Sequence, residues 1–282
     1  MLKEQEYPLS VICDVLNMGR STYYYKRVDQ DESDLEEAIE TVTGKYTKYG
    51  TRRVSQELRR APYQMVVNRK RIQRKMRENG QLVPQKRQNR YTTNSNHPYP
   101  RYPNLVKDLE ITHPDQVWVS DITYIRLMNG FVYLAIIMDV FTRTIRGWFL
   151  MRTLDQELTL TALREAMKSG IPEIHHSDQG VQYAAYAYTD LLKAHGIQIS
   201  MAAVGKAEEN GYAERVIRTI KEEEVYLAEY LDFNDACQQI GQFIEDVYNY
   251  KRIHSSLGYL TPAEFERAYR LAQTQVTEDS PL

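Results

Sequence analysis

Three runs rich in Val, Ile, Tyr and Phe, at 117–125, 131–140 and 144–150, follow one another with only a few residues between them. Runs of this length and composition are strands. Connections as short as Met128-Asn129-Gly130 and Phe141-Thr142-Arg143 make them antiparallel neighbours. The pattern then changes. A helical stretch at 156–168, carrying Leu158, Leu160, Leu163 and Met167, precedes a short strand at 171–176, a helix at 184–195 and a strand at 197–200. Such alternation adds parallel strands to a sheet. Two long helices, 207–227 and 234–248, close the unit. The predicted class is α/β, a mixed five-stranded sheet covered by helices.

The residues before this unit read as helical. Residues 8–27 suggest a short pair about Asn17-Met18-Gly19, with Ser21 as N-cap of a second helix through Tyr23, Tyr24 and Tyr25. An acidic helix at 34–42 follows. Val54 and Leu58 mark a helix at 51–60, and Ile72 and Met76 mark another at 67–78, whose outer face holds Arg69, Lys70, Arg71, Arg74, Lys75 and Arg77. A helix apolar on one stripe and basic elsewhere suits contact with DNA. Residues 80–115 turn rich in Gln, Asn, Arg and Pro. The expected division is an N-terminal helical segment (1–43), a basic helix-turn-helix (44–80), a basic linker (81–115), the sheet unit (116–270) and a tail (271–282).

Charge follows the same division. The net charge of −2 hides 17 Lys or Arg against two acidic residues between 45 and 107, and 15 against 24 between 111 and 282. A basic part of that density points to an anionic polymer, with phosphate neutralisation as the attraction. Other classes drop out. An apolar fraction of 42% with 11% aromatics fills a core, and no run approaches the roughly 18 apolar residues of a membrane span. The charged N-terminus resembles no secretion signal, and Cys13 and Cys237 fit no metal-ligand spacing. The expected setting is cytoplasmic and reducing, with no membrane partner. No phosphate-binding glycine loop is present.

Three carboxylates sit where a solvated face does not explain them. Asp121 shares a strand face with Val117, Val119, Thr123 and Ile125. Asp178 follows a strand whose carboxyl end is where α/β folds place ligand chemistry. Glu214 and Lys221 share one helix face. Taken singly, Asp121 could pair with a buried Arg, Asp178 could cap a helix, and Glu214 could form a surface ion pair. Taken together, adjacent strands and a crossing helix bring the three acids to one place, and carboxylates there suit hard divalent cations.

Asp121-Ile122-Thr123-Tyr124-Ile125, His176-Ser177-Asp178-Gln179-Gly180 and Asn210-Gly211-Tyr212-Ala213-Glu214-Arg215 resemble the catalytic blocks of DDE transposases and retroviral integrases. The 35 residues between Asp178 and Glu214, and a Lys seven positions after the Glu, match that superfamily's best-known subgroup. The block from Tyr248 to Phe265 resembles the close of bacterial insertion-sequence transposases of family three, downstream-frame type. Tyr49-Gly50-Thr51-Arg52-Arg53 and the basic helix after it resemble their helix-turn-helix. The resemblance implies an RNase H-like fold and metal-dependent DNA cleavage and strand transfer. It assigns Asp121, Asp178 and Glu214 to two Mg2+ ions, with Mn2+ as a substitute, and Lys221 and Arg218 to the DNA end. It further implies double-stranded DNA as partner (terminal inverted repeats and target), a homo-oligomer on that DNA, an upstream-frame product as a possible companion, and a bacterial, nucleoid-associated location. The competing readings are a non-catalytic DNA-binding regulator and an RNase H-like nuclease that only hydrolyses.

Other candidates rank lower. Asp139 is expected to cap the turn at Thr142-Arg143, and His175 and His176 to point to opposite strand faces. His254 is expected in either DNA backbone contact or a structural hydrogen bond. Glu222, Glu223 and Glu224 read as a solvated helix stretch.

Overall fold

The computed structural model describes residues 8–20, 32–83, 98–128, 130–203 and 205–278. The short helix expected from Ser21 lies outside them. Strands β1 (Val117–Leu127), β2 (Gly130–Asp139), β3 (Ile145–Met151), β4 (Ile174–Ser177) and β5 (Gln198–Met201) form one sheet in the order β3-β2-β1-β4-β5. The β1–β2 and β2–β3 pairs are antiparallel, and β1–β4 and β4–β5 are parallel, as expected. Strand β4 begins later than its apolar run. Pro172 has no N–H to give, and pairing starts where Glu173 and Ile174 donate to the carbonyls of Asp115 and Gln116.

Alternation along β1 serves two cores. Val117, Val119, Ile125 and Leu127 face one layer, made by helices α8 (Gly211–Ile220) and α9 (Phe233–Gln242). Trp118 and Ile122 face the other, made by α5 (Gln156–Met167) and α7 (Tyr186–Ala194). Each fully buried Leu or Ile in these layers contributes roughly 1.5–3 kcal/mol. The helix expected at 184–195 is split by the extended backbone of Ala185, which leaves one turn, α6 (Val181–Ala184), over the end of β4. Helices α8 and α9 each end in a wider π-turn, Lys221–Val225 and Phe243–Tyr248.

Ahead of the sheet lie α1 (Leu9–Val15), α2 (Ser33–Lys45), α3 (Thr51–Glu57) and α4 (Arg69–Glu78). Helix α2 runs across the expected boundary at 43/44, because Leu35, Ile39 and Val42 share a core with Val54, Leu58, Ile72 and Met76. Ile253 of the C-terminal block completes that core, and its N–H donates to the Tyr49 hydroxyl at 2.9 Å. Residues 98–115 of the expected linker lie along the sheet unit instead of standing free. Leu105 N–H donates to Ser200 Oγ at 2.8 Å, and Val106, Leu109 and Ile111 pack on the first core. Their apolar side chains have no regular period, so the sequence pattern gave no sign of this packing.

The last helix, α10 (Pro262–Glu278), crosses the expected tail boundary. Its start is a capping box: Glu264 N–H donates to Thr261 Oγ1, and Thr261 N–H donates to Glu264 Oε2. Thr261-Pro262-Ala263-Glu264 carries that signal openly, with Pro at the first helical position. Among the described residues no helix is long and apolar enough to cross a membrane, and both cysteines are free thiols.

Candidate active site

Strands β1 and β4 bring the two aspartates together. Val119 lies opposite His176 in the parallel pair. Two residues further along each chain come Asp121 and Asp178, where β4 has just ended. Burial pushes the Asp121 carboxyl well above the usual carboxylate range, and the charge of Asp178, then that of Glu214, push it the same way. The N–H of Ile122, which donates to Asp121 Oδ1 at 2.8 Å, opposes this shift. Asp178 is fixed by its own turn, its Oδ1 accepting from Gly180 N–H at 2.9 Å.

Glu214 lies in the first turn of α8. A buried contact sets where that helix begins, since Asn210 Nδ2 donates to the carbonyl of Ser120 at 3.0 Å, one residue before Asp121. Asn210 stands in the quoted motif, yet only the fold shows that it holds the helix to the strand. Burial raises the Glu214 carboxyl, the Arg218 cation lowers it, and Glu208 and Asp178 raise it. Lys221 opens the π-turn. Its Nζ lies 4.8 Å from the Tyr124 ring centroid. Burial lowers its pKa and Asp121 opposes that shift. Arg218 sits exposed one helical turn beyond Glu214.

Among the described residues no three His, Cys, Asp or Glu side chains converge closely enough to hold a metal ion as they stand. The donor set itself consists of partly buried carboxylate oxygens, which suits a hard divalent cation. A cavity of about 700 Å³ opens beside Glu214, walled by Lys107, His176, Tyr212, Arg215 and Arg218. Arg143, held at a φ of 63°, places its guanidinium 4.3 Å from the Tyr212 ring. Tyr212 stands in the quoted Asn210-to-Arg215 block and Arg143 in the quoted turn, yet only the fold brings the two side chains together.

The residues set aside fall into structural roles. Asp139 Oδ1 accepts from the N–H groups of Phe141 and Thr142, and its Oδ2 accepts from Asp115 N–H and from Arg146. His175 bonds the Tyr188 hydroxyl, whereas His176 lies against Ser200 Oγ and the Glu209 carbonyl. His254 lies against the Arg252 guanidinium, and burial with that cation holds its pKa down to about 2. Glu223 is no solvated residue. Arg252 Nε and Nη2 donate to its two oxygens at 2.7 and 2.8 Å, and Arg53 approaches at 3.5 Å.

The cations of α4 also divide. Arg69 and Lys70 are exposed at its first turn. Arg71 and Arg74 bond Glu32, and Lys75 lies 2.5 Å from both Glu32 and Glu36. The outer face read as uniformly basic is thus partly neutralised, because α2 packs beside it. Lys75 and then Arg71 hold the Glu32 carboxyl down to about 2 from its usual 4.5. The sign follows from the depressed pKa: this pairing stabilises above the usual value and is lost as pH falls through about 2. Hydrogen exchange of α4 amides should therefore quicken across that window, and Glu32→Gln should remove the acid-dependent step. A variant that keeps the wild-type acid dependence would refute the assignment.

An antiparallel β3-β2-β1 sheet extended by parallel β4 and β5, with acids on β1, after β4 and on the helix that crosses them, defines an integrase core of RNase H-like fold. Family models agree. Integrase core domain models match residues 111–207 and 195–262, and an HTH-like domain model matches residues 29–89. The 31 kDa protein of insertion element IS600 from Shigella sonnei is 37% identical over 270 residues, which cover 92% of this chain and 98% of that one. The transposase of insertion sequence IS629, also from Shigella sonnei, is 31% identical and covers 95% and 94% of the two chains. Transposase InsF of IS3A from Escherichia coli K12 is 28% identical and covers 93% and 95%. The chain belongs to this family of insertion-sequence transposases, enzymes of the DDE transposase/integrase type.

Proposed function

We propose that this chain cuts DNA at the ends of an insertion element and joins them to target DNA, with Asp121, Asp178 and Glu214 as the catalytic acids. The observation that carries this reading is the matched placement of Asp121 and Asp178, each two residues past the paired Val119 and His176 of parallel strands, with Glu214 on the helix that Asn210 anchors to β1. The three carboxylates would hold divalent cations, Mg2+ or Mn2+. Such ions, when bound, activate an attacking oxygen and stabilise the departing one in phosphodiester chemistry. Lys221 holds a phosphate of the DNA end beside Asp121, so that the reacting bond meets the acids in line. Arg218 gives the same strand a second cation. Double-stranded DNA, namely the terminal repeats and the target, is the partner; the chain acts as a homo-oligomer on it, with an upstream-frame product as a further companion.

The test uses the full chain with duplexes copied from the DNA flanking its gene, one intact and one pre-cut, in Mg2+ or Mn2+. Cleavage of the first and joining of the second support the proposal. Hydrolysis without joining would make the chain a nuclease, and binding without either would make it a regulator.

The helical module of residues 44–80, joined by α2, supplies DNA affinity through its free cations. Binding should weaken with salt by a slope of about 0.9 per phosphate contacted. Arg69→Gln and Lys70→Gln should each flatten that slope by about one contact. Lys75→Gln should leave it nearly unchanged, because its ammonium is already neutralised by Glu32 and Glu36. Salt titrations by fluorescence anisotropy would check this, and equal flattening by all three changes would refute the division.

A further inference from the structure

The β1–β2 hairpin carries aromatic surface that packing does not explain. Tyr124 is 42% exposed and Phe131 53%, and Met128 at the tip is 71% exposed. The two rings meet edge to face, with centroids 5.8 Å apart and planes at 81°. In the paired strands Phe131 lies opposite Arg126, two residues beyond Tyr124, so a second cation borders the pair. Lys221 covers part of the Tyr124 ring, its Nζ 4.8 Å from the centroid. Tyr124 stands three residues after Asp121 on β1 and Lys221 seven after Glu214 on the crossing helix, so the lysine over the ring ties the aromatic pair to the two elements that carry those acids.

We propose that Tyr124 and Phe131 form a stacking platform for an unpaired nucleobase of the DNA strand end, in the place where Lys221 takes that nucleotide's phosphate. This rests on the strand-cutting reading above and deepens it. An aromatic face stacks any base, whereas bases inside a duplex already stack on one another and offer no free face. The flanking cations suit the charge of a nucleotide. A phosphate draws the Lys221 ammonium off the tyrosine, and the ring face so uncovered receives the base one sugar away. The platform therefore selects frayed or single-stranded ends and adds no affinity for a closed duplex.

Two probes test this with the full chain, a blunt duplex and the same duplex with a short single-stranded 3′ tail containing 2-aminopurine. The wild type should bind the tailed probe about tenfold more tightly, and the 2-aminopurine fluorescence should be quenched on binding. Tyr124→Ala and Phe131→Ala should each lose the preference and the quenching, and Tyr124→Phe should keep both. Equal affinity of the wild type for the two probes overturns the platform, as do Ala variants that keep the preference. A loss of equal size on both probes also overturns it, since that marks general DNA affinity or fold. A concentration-dependent dimer, seen in sedimentation and lost in Tyr124→Ala, would assign the patch to a second copy of the chain and overturn it likewise. Binding to neither probe removes the DNA reading and the platform together, whereas joining of a pre-cut end without quenching removes the platform alone.

Discussion

Asp121→Asn, Asp178→Asn and Glu214→Gln are each expected to reduce strand cleavage and joining by roughly three orders of magnitude, while the chain stays folded. Each change keeps shape and removes a charge that a divalent cation needs. Losing one such ligand forfeits several kcal/mol of transition-state stabilisation, and each 1.36 kcal/mol is a factor of about ten in rate. Stability in metal-free buffer separates this from misfolding. Burial and the neighbouring acids raise the Asp121 carboxyl pKa, so the stability of its neutral form is present at low pH and is lost as pH rises. Asp121→Asn keeps a neutral group at all pH values and should melt no lower than wild type near neutrality. Joining within about twofold of wild type for any variant would remove that residue from the site.

The second large effect is on folding. Glu223→Ala should destabilise the chain by about 3–5 kcal/mol, the usual cost of leaving a buried charge without its partner. Arg252 is 3% exposed and makes two charged hydrogen bonds to Glu223, and Arg53 of α3 shares the same carboxylate. His254 beside them is held neutral and offers no counter-charge. The loss should lower Tm by roughly 10 °C. Glu222→Ala, one residue away and exposed, should stay within about 0.5 kcal/mol of wild type. Urea melts of the two variants decide the matter: equal midpoints would show that the ion pair contributes nothing. Lys221 and Glu223 share one π-turn, so one of the contacts that join the helical module to the core lies in the same turn as that lysine.

Much of this protein is written locally. The alternation of Val117, Val119 and Ile125 against Trp118 and Ile122, with the short turns at 128–130 and 141–143, leads directly to the sheet that the structure contains. The acids were visible for a related reason. A carboxylate on an apolar strand face, or at a strand's end, departs from the pattern around it and draws notice. Thr261-Pro262-Ala263-Glu264 holds a local start signal for α10 as well, although the sequence reading placed a tail across that helix. Other features leave no trace in periodicity. Arg71, Arg74 and Lys75 are neutralised from about 40 residues away, by Glu32 and Glu36, and Arg252 meets Glu223 across 29 residues.

The sequence by itself therefore determined the strands, the two-sided sheet and which three acids stand out. Tertiary structure alone decided that Asp121 and Asp178 each follow the parallel β1–β4 pair by two residues, that Asn210 ties α8 to β1, and which cations of α4 are neutralised. The physical reason is one of range. A hydrophobic period reports which side of one element is turned from water, and that preference acts between near neighbours in the chain. Ion pairs and strand register are settled when distant elements close on each other, and burial then fixes which charges keep a partner.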